Sequence, residues 1–560
     1  MRKSLVLLVL LTACATMRPA ANHYDVIIRG GTVYDGTGSP GRIADVAIKG
    51  QRIDAIGDLS KAKGTTEIDA KGLAVAPGFV NMLSWAPETL IEDPRGMSDI
   101  KQGVTLEVFG EGESMGPLSD AMKKDAVEQM GDIRYDIKWT TLGEYMDYMA
   151  QRGISPNIAS FVGATTLRIH EIGYADRAPT PQELARMQAL VREAMEEGAL
   201  GVGTALIYAP AFYAKTDELV ALMKAAAPYG GSYISHMRSE GARLLESTDE
   251  LIRIAKESGA GGEIYHLKAS GKDNWSKLPA LISKVDSARK AGLDIRANMY
   301  TYTAGSTGLD ASMPPWVQEG GYKEWAKRLQ DPAIRARVAQ EMRTPTDKWE
   351  NFFASVESPD KILLVGFKAD SLKYLTGKSL GEVARMRGKS PEETAMDLVI
   401  QDGSRVQTIY FLMSEDNVRR EMEIPWVSFG SDGGAPAPEG VFLKSSTHPR
   451  TYGNFARVLG HYVRDEKIIS LEEAVRRLSS LPAHNLRIRE RGELHPGYYA
   501  DIAIFDPATI TDNATYEKPQ QYATGMVHVF VNGAQVIRNG EHTGAKPGQV
   551  VRGPGWKGWN

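Results

Sequence analysis

Apolar positions along the chain fall into two regimes. Between residues 24 and 57 short runs alternate apolar with polar, as in Tyr24-Asp-Val-Ile-Ile-Arg and Asp45-Val-Ala-Ile-Lys, with Gly30-Gly31 as a turn. The same alternation returns in Asp501-Ile-Ala-Ile-Phe and Val527-His-Val-Phe-Val-Asn-Gly. Half-buried strands at both ends predict one small β-domain built from the two termini. In the middle the pattern changes to continuous apolar runs of strand length, at 74–83, 103–110, 157–163, 199–206, 231–236, 262–267, 293–300 and 425–431. Such runs suit strands buried on both faces. Amphipathic helical stretches separate most of them, the alternation of a parallel α/β fold. Eight runs predict a (β/α)8 barrel of the TIM type. Thr180-Pro-Gln-Glu183, Ser390-Pro-Glu-Glu393 and Ser470-Leu-Glu-Glu473 read as capping boxes that open helices. After the first, Leu184, Met187, Val191 and Met195 share one face. The interval 301–424 is too long for one connection and reads as a mostly helical insertion placed to cover the barrel mouth. The layout expected is a leader and tether over 1–22, a β-domain from 23–75 and 488–560, and a barrel over 76–487.

Charge and cysteine usage narrow the picture. The chain has 66 Lys+Arg against 70 Asp+Glu, a net charge of −4, with no electrostatic footprint for nucleic acid. Its single cysteine, Cys14, excludes a disulfide framework and a Cys–His nucleophile in the folded body. Arg2, Lys3 and the apolar stretch Ser4 to Leu11 form a targeting segment too short to span a bilayer. It ends in Leu11-Thr12-Ala13-Cys14, which resembles the bacterial lipobox, and Ala15 in the next position favours the outer membrane. The expectation is a cell-envelope lipoprotein attached to the membrane through lipid on Cys14, facing the periplasm or the surface. The bland alternative is an ordinary cleaved secretory signal.

In a barrel the reactive groups gather at the C-terminal ends of the strands. His236 closes Tyr233-Ile-Ser-His, His266 closes Glu263-Ile-Tyr-His, Asp432 closes the run from Trp426, and Glu111 follows Val108-Phe-Gly. Two imidazoles and two carboxylates on four strand ends can make a zinc site with three protein ligands, an open position and one carboxylate left as base. Taken singly, each strand-end histidine is as well read as a hydrogen-bonded structural residue. A Gly-x4-Gly-Lys phosphate loop is missing, so the NTPase reading loses its usual support.

A set of ordered motifs sharpens this. Ala76-Pro-Gly-Phe, Gly103-Val-Thr, Ser235-His-Met-Arg-Ser-Glu-Gly241, Tyr265-His-Leu-Lys268 and Tyr300-Thr-Tyr-Thr-Ala-Gly-Ser-Thr307 lead into Phe429-Gly-Ser-Asp-Gly433, His448-Pro-Arg-Thr-Tyr-Gly453 and Gly497-Tyr-Tyr-Ala-Asp501. Together they resemble the amidohydrolase superfamily and, within it, the N-acyl-D-amino-acid deacylases, over about residues 24–535. The resemblance implies a (β/α)8 barrel beside a β-sandwich and a zinc-dependent amide hydrolase acting on a small carboxylated substrate. It matches His236 and His266 to metal-binding histidines, Asp432 to the general base and Lys268 to a lysine that holds the substrate carboxylate, with Tyr300 and Arg238 assisting. His448, Arg450 and Tyr452 follow the last strand and either line the pocket or, in the case of Arg450, pair structurally with a carboxylate.

Two departures from the family pattern matter. After Pro-Gly-Phe the superfamily has Asp-x-His-x-His, whereas here Asn81-Met-Leu-Ser-Trp puts Leu83 and Trp85 where the imidazoles belong. Neither side chain can donate a lone pair to a metal, so one zinc per chain is expected. The family's cysteine ligand falls in Gly110-Glu-Gly-Glu-Ser, and anchoring on Ser114 and Pro117 selects Glu111 over Glu113, giving a His2Glu set. A catalytically inactive binding lipoprotein and a hydrolase of cyclic amides or dipeptides stand as alternatives.

Overall fold

The computed structural model describes residues 23–559; Cys14 and the rest of the leader lie outside them. Eight parallel strands close a barrel. They are Phe79–Asn81, Val104–Phe109, a third strand interrupted at Phe161 (Asn157–Ser160 and Val162–Gly163), Gly201–Ala205, Ser232–His236, Gly262–Ile264, Ile295–Met299 and Val427–Phe429. Every residue in them is buried, as their unbroken apolar runs require. Two hydrogen-bonded sheets make the wall, and backbone bonds join them. The Phe161 N–H donates to the Phe109 carbonyl at 2.9 Å, and that of Met82 to the Phe429 carbonyl at 3.2 Å, closing the eighth strand onto the first. All eight expected runs therefore lie in the barrel wall.

The first run is the exception in detail, because it is cut at Gly78. Ala74–Pro77 pairs with His23–Val33 and with Ile502–Phe505, while Phe79–Asn81 enters the barrel. A side chain at Gly78 would put its Cβ 2.2 Å from Thr105 Oγ1, so only glycine lets the chain cross from one sheet to the other. The terminal strands form a nine-stranded sheet from both chain ends, its core built on Ile28, Val46, Ile48, Val75, Ile502 and Phe530. Beyond it the C-terminal segment returns along the base of the barrel, with Val551 N–H donating to Ile158 O at 2.8 Å.

The reciprocal capping box is complete at Thr180/Glu183. At Ser390 and Ser470 only the serine half forms. There the glutamates turn to stronger partners: Glu393 bonds Arg335 at 2.8 Å and Glu473 bonds Arg476 at 2.7 Å. The insertion differs from the mostly helical reading. Besides helices such as Pro332–Arg343 and Pro391–Asp402, it holds an antiparallel sheet of Gly305–Gly308, Gln407–Tyr410 and Ile362–Gly366. Among the described residues no helix is long and apolar enough to cross a membrane.

Candidate metal centre and active site

Glycine and strained backbone bring the reactive groups together at the strand ends. Gly110, at φ +108°, turns the chain after the second strand, where any Cβ would sit 2.5 Å from the Phe161 carbonyl oxygen. Glu111 follows. His266 and Asp432 adopt left-handed backbone at φ +35° and +49°. Such conformations in non-glycine residues persist only where neighbours enforce them. Here the His266 N–H is held by Asn298 Oδ1 at 2.9 Å and the Asp432 N–H by the Leu83 carbonyl at 2.8 Å.

Glu111, His236 and His266 converge, each offering one ligand atom within 4.8 Å of the others. Glu111 Oε1 lies 2.8 Å from His266 Nε2 and 3.3 Å from His236 Nδ1. The rings meet edge to face with centroids 4.6 Å apart. Burial pushes the Glu111 carboxyl up, but the two imidazoles, His266 foremost, more than reverse this, and it stays ionised. Burial and the Lys268 ammonium push the His266 imidazole down, while Glu240 and Glu111 overcome both and lift it to about 9. The imidazolium proton thus supplies positive charge that two buried carboxylates demand. A divalent cation on the same three atoms serves that demand and releases the proton. Two nitrogens and one carboxylate oxygen, all buried, fit a three-ligand catalytic metal site. Of the two glutamates in this loop, Glu111 is the one grouped with the histidines, while Glu113 feels the charges of Arg405 and Asp310.

Trp85 has its own part in the centre. Its indole N–H donates to Glu111 Oε2 at 2.8 Å, so Oε2 is engaged and Oε1 alone faces the histidines. Leu83 is packed among Val80, Met82, Val108 and Phe161. Neither Leu83 nor Trp85 therefore offers a metal ligand. Asn81 is buried, its amide nitrogen within 2.9 Å of Asp99 and 3.1 Å of Glu107.

The cations expected at the substrate are distributed differently. Arg238 is a correction: its guanidinium is spent on Glu250 (2.9 Å to each carboxylate oxygen) and on the carbonyls of Phe212 and Ala214, because the helix after the fifth strand brings Glu250 beside it. Lys268 stands behind the metal ligands, its Nζ 2.6 Å from Glu240 Oε1 and 2.8 Å from both Nδ1 and the carbonyl oxygen of His266. Arg450 is the cation with donors to spare. Its Nη2 lies 2.8 Å from Asp432 Oδ2 and its guanidinium stacks 4.4 Å over the Tyr300 ring, while Nε and Nη1 are buried without partners among the described residues. His448 positions it by accepting the Arg450 N–H on Nδ1 at 3.0 Å and donating from Nε2 to Ala304 O at 2.9 Å. Burial, then Arg450, hold that imidazole well below its ordinary range, so it is neutral. The Tyr300 hydroxyl meets only the weak acceptor Met413 Sδ at 3.3 Å. Burial raises the Asp432 carboxyl and Arg450 opposes this without cancelling it.

Glu240 was not singled out by sequence reasoning, although it sits four residues after His236. A second trio, Glu415, His461 and Glu466, is also close-set. There Arg419 grips Glu466 at 2.8 and 2.9 Å and already provides the positive charge.

A parallel barrel with two histidines and a glutamate that could hold a metal, and an adjacent aspartate, at its strand ends is the arrangement of a metal-dependent hydrolase. Residues 66–537 match the model of the Amidohydrolase family, and the chain belongs to it. Within that family it groups with the N-acyl-D-amino-acid deacylases. It is 33% identical to the D-aminoacylase of Alcaligenes xylosoxydans xylosoxydans over 536 residues, 94% of this chain and 97% of that one. A D-aminoacylase structure superposes with a TM-score of 0.79 at 32% identity, covering 94% of this chain and all of the other; its metal centre is binuclear, activated by one metal and attenuated by the second. An N-acyl-D-glutamate deacylase from Bordetella bronchiseptica, complexed with zinc and a phosphonate inhibitor, superposes with a TM-score of 0.77 at 29% identity over 95% of this chain and all of that one.

Proposed function

We propose that this chain hydrolyses the amide bond of N-acyl-D-amino acids with a single zinc ion held by Glu111, His236 and His266. The observation that carries the reading is Arg450, a buried guanidinium with two unpartnered donors beside both Asp432 and Tyr300. Buried donors of this kind await an acceptor, and the α-carboxylate of an N-acyl amino acid is one. Arg450 and the Tyr300 hydroxyl hold that carboxylate and thereby aim the acyl carbonyl at the centre. Asp432 takes the proton of the attacking water on its free carboxylate oxygen and returns it to the departing amine nitrogen. A zinc ion bound at the three ligands supplies Lewis acidity toward the carbonyl and acidifies water. Lys268, held behind His266 by Glu240 Oε1 and the His266 carbonyl, orders the ligands and does not touch the substrate.

One ion is the count supported by Leu83 and Trp85. The residues at those positions offer no lone pair, and the indole N–H already occupies the Glu111 oxygen turned away from the histidines. The inactive binding-protein reading is disfavoured by the complete ligand set and base. A panel of N-acetyl-D- and L-amino acids, dipeptides and hydantoins tests the proposal, with Asp432→Asn as control. Turnover of N-acetyl-D-amino acids, reduced about 10²- to 10⁴-fold by Asp432→Asn, is expected. Turnover of hydantoins or dipeptides alone, or an unaffected variant, contradicts it. The proposal extends to location: lipid on Cys14 tethers the enzyme to the outer membrane, and palmitate labelling abolished by Cys14→Ser tests it.

A further inference from the structure

Resting on the metal reading above, we infer that Glu240 is a positioning residue that fixes both imidazole ligands at once and sets which nitrogen each presents to the metal. Its carboxylate lies on the far side of both rings from Glu111. Oε1 is 3.0 Å from His266 Nδ1, and Oε2 is 3.8 Å from His236 Nε2. The opposite nitrogens, His266 Nε2 and His236 Nδ1, are the ones that face Glu111 Oε1. One carboxylate is thus placed to accept Nδ1–H from His266 and, once the 3.8 Å gap to His236 closes, Nε2–H from the other ring, leaving opposite lone pairs pointing at a common centre. No separate partner is needed for each histidine.

The two orphaned atoms in this arrangement point the same way. Among the described residues His236 Nε2 and Glu240 Oε2 are both buried without hydrogen-bond partners, and 3.8 Å separates them. Closing 3.8 Å to the usual ~2.9 Å needs only a small ring movement. Glu240 is anchored for the task. Lys268 Nζ grips Oε1 at 2.6 Å, the Glu240 N–H donates to Glu350 Oε2 at 3.2 Å, and the Glu240 carbonyl accepts from the Ser270 N–H at 2.7 Å. Lys268 Nζ also lies 2.8 Å from His266 Nδ1, and because an ammonium carries only donors that contact opens when Nδ1 holds its proton, leaving Lys268 on Glu240 Oε1 and the His266 carbonyl. Carboxylates that accept from ligating histidines raise their basicity and fix their orientation, and losing one costs about 10- to 100-fold in metal affinity.

The test is zinc affinity of the full mature chain in chelator-buffered zinc, for wild type, Glu240→Gln and the double variant Glu240→Gln/Lys268→Met. Circular dichroism and urea unfolding of the chelator-treated proteins run alongside. An amide can accept from one ring only, so Glu240→Gln is expected to weaken zinc binding about 10- to 100-fold. The double variant removes the buried cation as well as its partner. If Glu240 served only to neutralise Lys268, the double variant would regain wild-type affinity, which overturns the inference. Affinity that stays weak in the double variant supports it, and the double variant carries the test if the single one does not fold. Equal zinc affinity in wild type and Glu240→Gln overturns it while leaving the deacylase reading intact. Failure of wild type to bind zinc overturns the metal reading itself.

Discussion

Replacing Arg450 by glutamine separates its two jobs. Arg450 is 2% exposed, and its guanidinium contacts Asp432 Oδ2 at 2.8 Å and keeps Nε and Nη1 without partners among the described residues. If those donors receive the substrate carboxylate, Arg450→Gln removes one side of a desolvated ion pair, a loss of about 2–5 kcal/mol. That corresponds to about a 30- to 4,000-fold drop in kcat/KM for N-acetyl-D-amino acids. The second consequence concerns Asp432. Burial raises its carboxyl and Arg450 holds the rise in check, so removing Arg450 raises it further. Asp432 works as the ionised base, and a higher pKa means the base form is lost at a higher pH. The acid limb of the kcat/KM profile should therefore move toward higher pH. Steady-state kinetics across pH, with an N-acyl amine lacking the carboxylate as a second substrate, read both effects. For the amine the binding part of the penalty disappears and only the shifted limb remains. An equal penalty on both substrates would refute carboxylate recognition, and an unmoved acid limb would refute the coupling to Asp432.

Three further outcomes follow from the same geometry. Trp85→Phe keeps the ring and removes the N–H that engages Glu111 Oε2, so zinc affinity measured against a chelator should fall by up to about 10-fold without a second ion appearing. Burial, and for Asp99 its charged neighbour Glu107, raise both carboxyls around Asn81. The folded protein then binds more protons than the unfolded chain, and stability should fall as pH rises above the ordinary carboxylate range. Glu107→Gln should flatten that slope in urea unfolding at pH 5 and 8. Arg168 and Glu218 form a buried pair at 2.7 Å, and Arg168→Met strands the carboxylate at a cost of about 3–5 kcal/mol. Urea unfolding should register that loss while KM stays unchanged.

The barrel was legible because its strands are buried on both faces, and runs such as Val104–Phe109 leave only one reading once helices separate them. The strand-end positions of His236, His266, Asp432 and Glu111 then followed from where parallel strands terminate. What stayed hidden depends on contacts distant in sequence. The break at Gly78 is dictated by Thr105 and by a strand some 425 residues away, Ile502–Phe505. The insertion's strand Gly305–Gly308 reads Gly-Ser-Thr-Gly, with no apolar pattern to betray it. Side chains with long reach were the hardest to place. Motif position put Arg238 and Lys268 at the substrate, whereas Glu250 and Glu240 draw them into structural pairs. The indole of Trp85, judged only by its inability to bind metal, turned out to hold the carboxylate ligand.

Elemental analysis of the purified mature chain in zinc-replete buffer, beside His236→Ala and His266→Ala, tests the central claim most directly. The account predicts one zinc per chain in the wild type and its loss in both variants. Two ions per chain would contradict the roles given to Leu83 and Trp85, and an ion retained without His236 or His266 would contradict the site itself.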